Sequence, residues 1–259
     1  GDLRSGEAVS TGGKAVSDAE AAVIGELLKA NSALTRLDLS GSACSAAVLQ
    51  LIGDGLSAST APLAELLMGG LKHGEGEAAL GSRLLAVVSG ACRPSLRVVD
   101  CSKQEGDASE TCLLFTGEGE GVLPSLCTLM ASEGNVLTTV RVGGNGSCPE
   151  GSGAALVKAL SSKSCVVEEL NVSGSGLGPS DAGALVSSCR TLSTLTLGEW
   201  AMPVADLRAD EAVSNSAQAW SDAEAAVIGE LLKTNNALTQ LDLSGSACSA
   251  AVLQLMADG

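Results

Sequence analysis

The chain has 259 residues with 30 acidic and 15 basic side chains, and a formal charge of −15 disfavours direct binding to nucleic acid or to an anionic membrane. Two Trp, one Phe and no Tyr accompany a hydrophobic content of 45%, so the core must consist of many small aliphatic layers, as in a solenoid. No apolar run approaches the roughly 18 residues of a membrane helix, so we expect no membrane insertion.

The cysteine and histidine content argues against catalysis and metal binding. Nine Cys contain no Cys-x-x-Cys pair, and His73 is the only histidine, so we expect no zinc site, no Cys–His nucleophile, no cofactor and no catalytic residue. Cys44, Cys101 and Cys248 stand where a small apolar residue is wanted. Reduced core thiols in an intracellular, cytoplasmic protein are the preferred interpretation, and a disulfide framework is the alternative.

A long internal duplication organises the chain. Asp2–Gly55 and Asp206–Gly259 are identical at 42 of 54 positions, with a period of 204 residues. Because the chain opens with Gly1 and stops within the second copy, both ends are interpreted as cuts in a longer repeat array. We therefore expect capping by missing chain, or end-to-end association of this fragment.

A shorter period lies inside the long one. The segment LTRLDLSGSAC begins at Leu34 and follows the pattern L-x-x-L-x-L-x-x-S-x-C, in which alternating Leu37 and Leu39 predict a short strand with one face inward. Ser42 stands where a buried polar side chain would bond the loop backbone. The preceding DAEAAVIGELLKAN has helical spacing, with Ser17 or Asp18 as the N-cap.

The same pattern recurs along the whole sequence. Units start near 6, 34, 63, 96, 137, 167, 192, 210 and 238, and further helices are predicted near 46–56, 76–89, 122–132, 151–161, 180–188, 222–234 and 249–257. Two spacings are irregular. The long one holds a predicted acidic loop, Glu105–Gly121, and the short one leaves Ala201–Arg208 to run extended, as Pro203 favours. Trp200 and Trp220 flank this short unit and either pack into the gap, which we prefer, or form a docking site.

The LTRLDLSGSAC and LTQLDLSGSAC motifs, their preceding helices and the unit length near 28 resemble the ribonuclease-inhibitor-like class of leucine-rich repeat proteins. The resemblance implies an α/β solenoid, a horseshoe with a parallel β-sheet on its concave side and α-helices on its convex side. It further implies one domain, 1–259, of about nine repeats. The ladder position, usually Asn or Cys in that family, is Asn only at Asn145.

The resemblance also implies that alternate strand residues form a binding face for another protein. The chain is then a non-catalytic interaction scaffold whose partner the sequence does not identify. Two alternatives are a regulatory domain that acts on a small GTPase, for which an exposed Arg is the discriminator, and a structural subunit of a large assembly. The candidate face comprises Arg36, Asp38, Glu65, Arg97, Asp100, Thr139, Arg141, Glu169, Asn171, Thr194, Thr196, Gln240 and Asp242.

Overall fold

The computed structural model describes residues 6–70, 94–102, 122–145, 151–209, 212–214, 219–242, 250 and 253–254. Ten three-residue strands lie in these segments: β1 Ala8–Ser10, β2 Arg36–Asp38, β3 Glu65–Leu67, β4 Val98–Asp100, β5 Thr139–Arg141, β6 Glu169–Asn171, β7 Thr194–Thr196, β8 Ala201–Pro203, β9 Ala212–Ser214 and β10 Gln240–Asp242. Seven helices lie in the described segments: α1 Asp18–Ala30, α2 Ala46–Ala58, α3 Val122–Ala131, α4 Ser152–Leu160, α5 Pro179–Ser188, α6 Val204–Ala209 and α7 Asp222–Leu232.

Eight strands form an open, mostly parallel sheet in chain order, β1 to β8. The first seven are parallel and in register, so that position 2 of each strand is paired with position 2 of the next. β9 and β10 form a separate parallel pair. Each of the nine parallel strands begins two residues after a unit start in the repeat pattern, because the inward-facing aliphatic residue fixes the register.

The core lies between the sheet and a single layer of helices. The middle residue of every strand from β1 to β7 is at most 5% exposed: Val9, Leu37, Leu66, Val99, Val140, Leu170 and Leu195. The helices pack on one another along this layer, α1 on α2, α3 on α4, α4 on α5 and α5 on α7, as expected where right-handed connections join parallel neighbours. The two layers share one cluster of Leu, Val and Ala, and each fully buried Leu contributes about 1.5–3 kcal/mol.

Polar side chains set the helix starts and the turns. Ser17 is the N-cap of α1 and forms a capping box with Glu20, which confirms one of the two predicted caps. Ser221 and Glu224 repeat this arrangement at α7. Ser42 is fully buried, as predicted, but the contact of its hydroxyl is with the hydroxyl of Thr11, whereas the prediction had it bonding the loop backbone. The serine caps of α1 and α7 each contribute about 1 kcal/mol of helix stability.

Asn145 bonds two successive turns, as expected for a ladder residue. Its Nδ2 donates to the carbonyl oxygen of Cys101 in the preceding unit and to that of Val142 in its own unit, both at 2.8 Å. Because buried carbonyls need a donor, this one amide satisfies acceptors that the strands leave open. Asn145 thereby ties the unit of β4 to the unit of β5.

The prediction that Ala201–Arg208 runs extended is wrong beyond Pro203. Ala201–Pro203 forms β8, which pairs antiparallel with β7, and the chain then turns directly into the six-residue helix α6. Pro203 is tolerated because an edge strand does not need its missing N–H. Burial of Val204 and Leu207, at 0% and 1% exposure, favours the helix despite the short spacing between units.

Several sequence predictions fall outside the described residues. These are the helix near 76–89, His73, the acidic loop Glu105–Gly121, the core position of Cys248 and most of the helix near 249–257. The predicted helices near 46–56, 122–132, 151–161, 180–188 and 222–234 are confirmed to within two residues at each end. Among the described helices, none combines the length and the apolar character needed to cross a bilayer.

Candidate functional site

The first and third residues of each strand form the face of the eight-stranded sheet that the helices do not cover; we call it the open face. The structure places the sequence-predicted residues Arg36, Asp38, Glu65, Asp100, Thr139, Arg141, Glu169, Asn171, Thr194 and Thr196 on β2 to β7 of this face, and Arg97 immediately before β4. Gln240 and Asp242 lie on β10, in the separate sheet. The predicted residues are therefore divided between two sheets.

Arg36 pairs with two carboxylates on the open face. Its guanidinium lies 3.1 Å from Glu65 Oε2 on the adjacent strand and 3.6 Å from Asp38 Oδ2 on its own strand. The three side chains are between 24% and 46% exposed. At such exposure the ion pairs contribute about 0–1 kcal/mol, so they fix the orientation of Arg36 more than they stabilise the fold.

Arg141 is held more firmly. Its Nε and Nη2 donate to the two oxygens of Glu169 at 2.8 and 3.2 Å, a bidentate pair across β5 and β6. Its Nη1 lies 3.9 Å from Asp100 Oδ2 on β4. The hydrogen bonds that Arg141 donates to Glu169 raise the pKa of Arg141 above its usual value, with smaller contributions from Asp100 and Glu65. Charged residues of three adjacent strands thus form one row.

Three polar residues of the open face also stabilise turns, a role that the sequence analysis missed. Asp38, Asp100 and Asn171 end β2, β4 and β6. In each, Oδ1 accepts the N–H of the serine two residues later, at 2.9–3.0 Å. These are Asx turns, and the spacing D-x-S or N-x-S is their sequence signature. The second oxygen of each Asp remains directed to the ion pairs described above.

Hydroxyl side chains just before the strands are also structural. Thr35, Thr138 and Ser193 each donate to a backbone carbonyl of the preceding unit, on Glu7, Arg97 and Glu168 respectively, at 2.9–3.3 Å. These hydrogen bonds link neighbouring units. The face also presents the short Thr139, Thr194 and Thr196 and the half-buried Leu67 and Val98, and Val98 is paired with Thr139 across β4 and β5.

Arg97 differs from the other two arginines. It is exposed, and it forms no ion pair with any residue in the described part of the chain. Its backbone N–H and carbonyl belong to the ladder between units. Carboxylates of the face hold the guanidinium groups of Arg36 and Arg141. Among the described residues, no carboxylate is paired with Arg97, so its guanidinium is available to a partner.

The cysteines behave as core thiols in the described segments. Cys44, Cys101, Cys127, Cys165 and Cys189 are not joined in disulfides. Burial raises the pKa of the Cys44 thiol to about 11, and it raises that of Cys101 as well. Cys165 and Cys189 interact with each other, and a hydrogen bond from the Cys165 thiol lowers the pKa of Cys189 below the usual thiol value. The pKa of Cys165 is correspondingly raised.

Trp200 and Trp220 pack on each other, as the preferred interpretation of the sequence had it. Their rings meet edge to face, with centroids 5.2 Å apart and planes at 78°. Trp220 is buried and Trp200 half-buried. Such a pair contributes about 0.5–1.5 kcal/mol beyond its buried area. It joins the short unit to the start of the duplicated segment.

Nearby, the guanidinium of Arg208 supplies hydrogen-bond donors to the backbone carbonyl oxygens at the C-terminal end of α5. It donates to the carbonyl oxygens of Val186, Cys189 and Leu192 at 2.6–2.7 Å and to that of Arg190 at 3.2 Å. The last carbonyls of a helix have no partner within the helix, so a guanidinium with five donors suits this position. The repeated triplet DLR, at Asp2–Arg4 and Asp206–Arg208, is the only sequence signal for it.

No group of three or more His, Cys, Asp or Glu side chains suited to a metal ion occurs among the described residues. The open face consequently offers a fixed row of ion pairs, short hydroxyl side chains and two aliphatic side chains. Its chemistry is that of a contact surface. The paired carboxylates and guanidinium groups lie on an exposed sheet. Catalytic acids and bases usually acquire their shifted pKa values in an enclosed cleft, where burial and neighbouring charges act together.

Comparisons with known proteins give no family. No protein-family model and no curated protein matches the chain. Among solved structures, the chain is similar to an internalin, InlF, of Listeria monocytogenes at 16% sequence identity and a TM-score of 0.40. The match covers 90% of this chain and 55% of the internalin chain. At this level of similarity the function has to be argued from the chain's own surface.

Proposed function

We propose that the chain is a non-catalytic protein-interaction scaffold of the leucine-rich repeat type, in the ribonuclease-inhibitor-like class, and that it binds its partner on the open face. One observation carries the proposal. Seven in-register parallel strands present two columns of side chains, and the charged members of these columns are already oriented by Arg36–Glu65 and Asp100–Arg141–Glu169 contacts. A surface that is ordered before binding loses little side-chain entropy on binding.

The charge distribution favours a basic or polar protein partner. The whole chain carries a formal charge of −15, which accelerates association with a positively charged protein. On the face itself, carboxylates already occupy two of the three arginines, so specific contacts fall to Arg97, Thr139, Leu67 and Val98. We also propose an intracellular location, because the described cysteines remain thiols.

The two alternatives gain no specific support. A GTPase-activating role needs an arginine free to reach the nucleotide, and Arg36 and Arg141 are held by carboxylates of the same face. Arg97 alone of the three is exposed without an ion pair among the described residues, and the exposure of one arginine does not by itself favour a GTPase over any other partner. A purely structural role would not require an exposed, ordered face. Neither alternative is proposed for this chain.

The test is a pair of matched substitutions that add the same bulky side chain to opposite layers. Thr139→Arg blocks the middle of the open face at a residue that is not itself a member of an ion pair, and Ala154→Arg adds an arginine to the exposed side of α4. Each variant and the parent chain are immobilised, and bound proteins are quantified by mass spectrometry. We expect the amount of specific partner bound to Thr139→Arg to fall at least about tenfold relative to the parent chain, whereas Ala154→Arg should bind as much partner as the parent chain does. Equal binding by both variants would reject the open face as the site.

A further inference from the structure

The internal duplication allows the same helix sequence to be compared in two surroundings within one chain. α1 and α7 carry the same 11 residues, DAEAAVIGELL, at Asp18–Leu28 and Asp222–Leu232. Each begins with the same serine capping box. Any difference in the burial of equivalent side chains must therefore come from what surrounds the two helices.

Burial differs sharply on one side of the helix. Val23 is 59% exposed, whereas its counterpart Val227 is fully buried. Glu20 is exposed and Glu224 is 5% exposed, although both make the same capping contacts. Ile24 is half-buried, whereas Ile228 is 1% exposed. The same amino acids that form an outer surface in the first copy form an interior contact in the second.

The structure shows which helix packs on this side of the second copy. α5 packs against α7, with Gly183 facing the backbone of Ala226: a Cβ built on Gly183 would lie 3.6 Å from the Ala226 carbonyl oxygen. One turn further along α5, the Ser187 hydroxyl donates to Glu230 Oε1 at 3.0 Å. Gly198, in the turn between β7 and β8, leaves room for the side chain of Glu224.

Every residue of α7 in this contact has an identical counterpart on α1. Ala226 and Glu230 correspond to Ala22 and Glu26. The ion pair of Glu230 with Lys233, at 2.7 Å, is repeated by Glu26 and Lys29 at 2.6 Å. In addition, a groove of about 510 Å³ lies open between β1 and α1, lined in part by Val9, Val16 and Val23. In the second copy, Trp220 replaces Val16 and is buried.

We propose that Ala22, Val23 and Glu26, with the groove beside them, form a docking face for a helix of the α5 kind. Its occupant is a protein segment with a glycine opposite Ala22 and a hydroxyl donor one turn later, opposite Glu26. This is the chemistry of Gly183 and Ser187 in the segment before α7. The docking face is separate from the open face, so the proposal stands independently of the proposed partner site.

The probe for this interaction is a lengthened chain, in which a second copy of residues 137–205 is joined directly ahead of Asp2. The repeated triplet DLR makes this junction match the natural one between Ala205 and Asp206. Val23→Asp is then compared in the 259-residue chain and in the lengthened chain. Val227→Asp in both chains is the control for a valine that is already buried.

Docking predicts that Val23→Asp lowers the Tm of the lengthened chain by about 5 °C or more and that of the 259-residue chain by about 1 °C or less. Val227→Asp should lower the Tm in both chains. Amide exchange in α1 should slow only in the lengthened chain; it is followed in peptides that include Val16 or Ala30, which differ in mass from the α7 peptides with Trp220 or Thr234. Gly183→Leu in the added segment alone should restore fast exchange, because its side chain would collide with Ala22.

Two results would overturn the proposal. One is an equal effect of Val23→Asp in the two chains. The other is unchanged amide exchange in α1 after the segment has been added, whether or not that segment folds. Either result would mean that this face of α1 does not accept the helix that its duplicate binds.

Discussion

Removal of the Arg208 guanidinium should destabilise the joint at the end of the eight-stranded sheet. The guanidinium nitrogens of Arg208 lie 2.6–2.7 Å from the carbonyl oxygens of Val186, Cys189 and Leu192. Arg208→Ala removes these donors. A hydrogen bond to a charged group contributes about 1.5–3 kcal/mol. One guanidinium makes all three bonds and Arg208 is half-buried, so their energies do not add fully. We therefore expect a loss of about 3 kcal/mol.

The assay is thermal and urea unfolding followed by far-UV circular dichroism. For a chain of this size, about 3 kcal/mol corresponds to a fall in Tm of about 6–12 °C. Arg208→Lys should recover little of this, because one ammonium cannot reach carbonyls arranged around a planar fork. Arg190→Ala is the matched control, since Arg190 is exposed on the same segment. If the Arg208 and Arg190 variants unfold alike, α6 is not anchored by this contact.

Three further substitutions test the packing and the thiols. Asn145→Ala should cost about 1–2 kcal/mol in urea unfolding, and Asn145→Asp should not rescue it because a carboxylate lacks the donor; an unaffected midpoint would contradict the bridge between turns. Val227→Ala should cost about 2 kcal/mol and Val23→Ala less than about 0.5 kcal/mol, although the helices are identical, and equal costs would contradict the burial difference. Alkylation of Cys189 by iodoacetamide, followed by mass spectrometry, should reach its midpoint at a lower pH than alkylation of Cys44, because a hydrogen bond from the Cys165 thiol lowers the Cys189 pKa whereas burial raises that of Cys44. Cys165→Ala should move that midpoint to higher pH, and an unchanged midpoint would contradict the pairing.

The strands and most helices follow from periodicity. A three-residue strand with one inward aliphatic residue has only one register that buries Leu37 beside Leu66, so the unit starts locate β2 and β3 directly. Ser17 and Glu20 carry a recognisable capping box. These features are local, and each depends on residues within one turn or one strand of the others.

The joint after β7 could not be predicted in the same way. The bonds of Arg208 reach carbonyls 16 to 22 residues earlier in the chain, and backbone acceptors leave no mark on the sequence. Likewise, Gln240 lies in a different sheet from its counterpart Arg36, although the segments around them are nearly identical. The interruption comes from the antiparallel β8, which a repeat template does not contain.

The positions of the face residues followed from strand alternation, but their interactions did not. Arg141 meets Glu169 across a gap of 28 residues, and only the in-register pairing of β5 and β6 brings the two together. The turn bonds of Asp38 and Asp100 did have a local signal, the D-x-S spacing. That spacing shows that an acidic residue on a strand can serve the turn as well as the surface.

Side-chain oxidation by hydroxyl radicals, with and without the captured partner, tests most directly whether the open face is the binding surface. Leu67 and Val98 lie on that face and are partly accessible, whereas Val23 is exposed on α1. Binding on the open face predicts that oxidation of Leu67 and Val98 falls several-fold while that of Val23 is unchanged. Protection of Val23 with no protection of Leu67 and Val98 would contradict the proposed function.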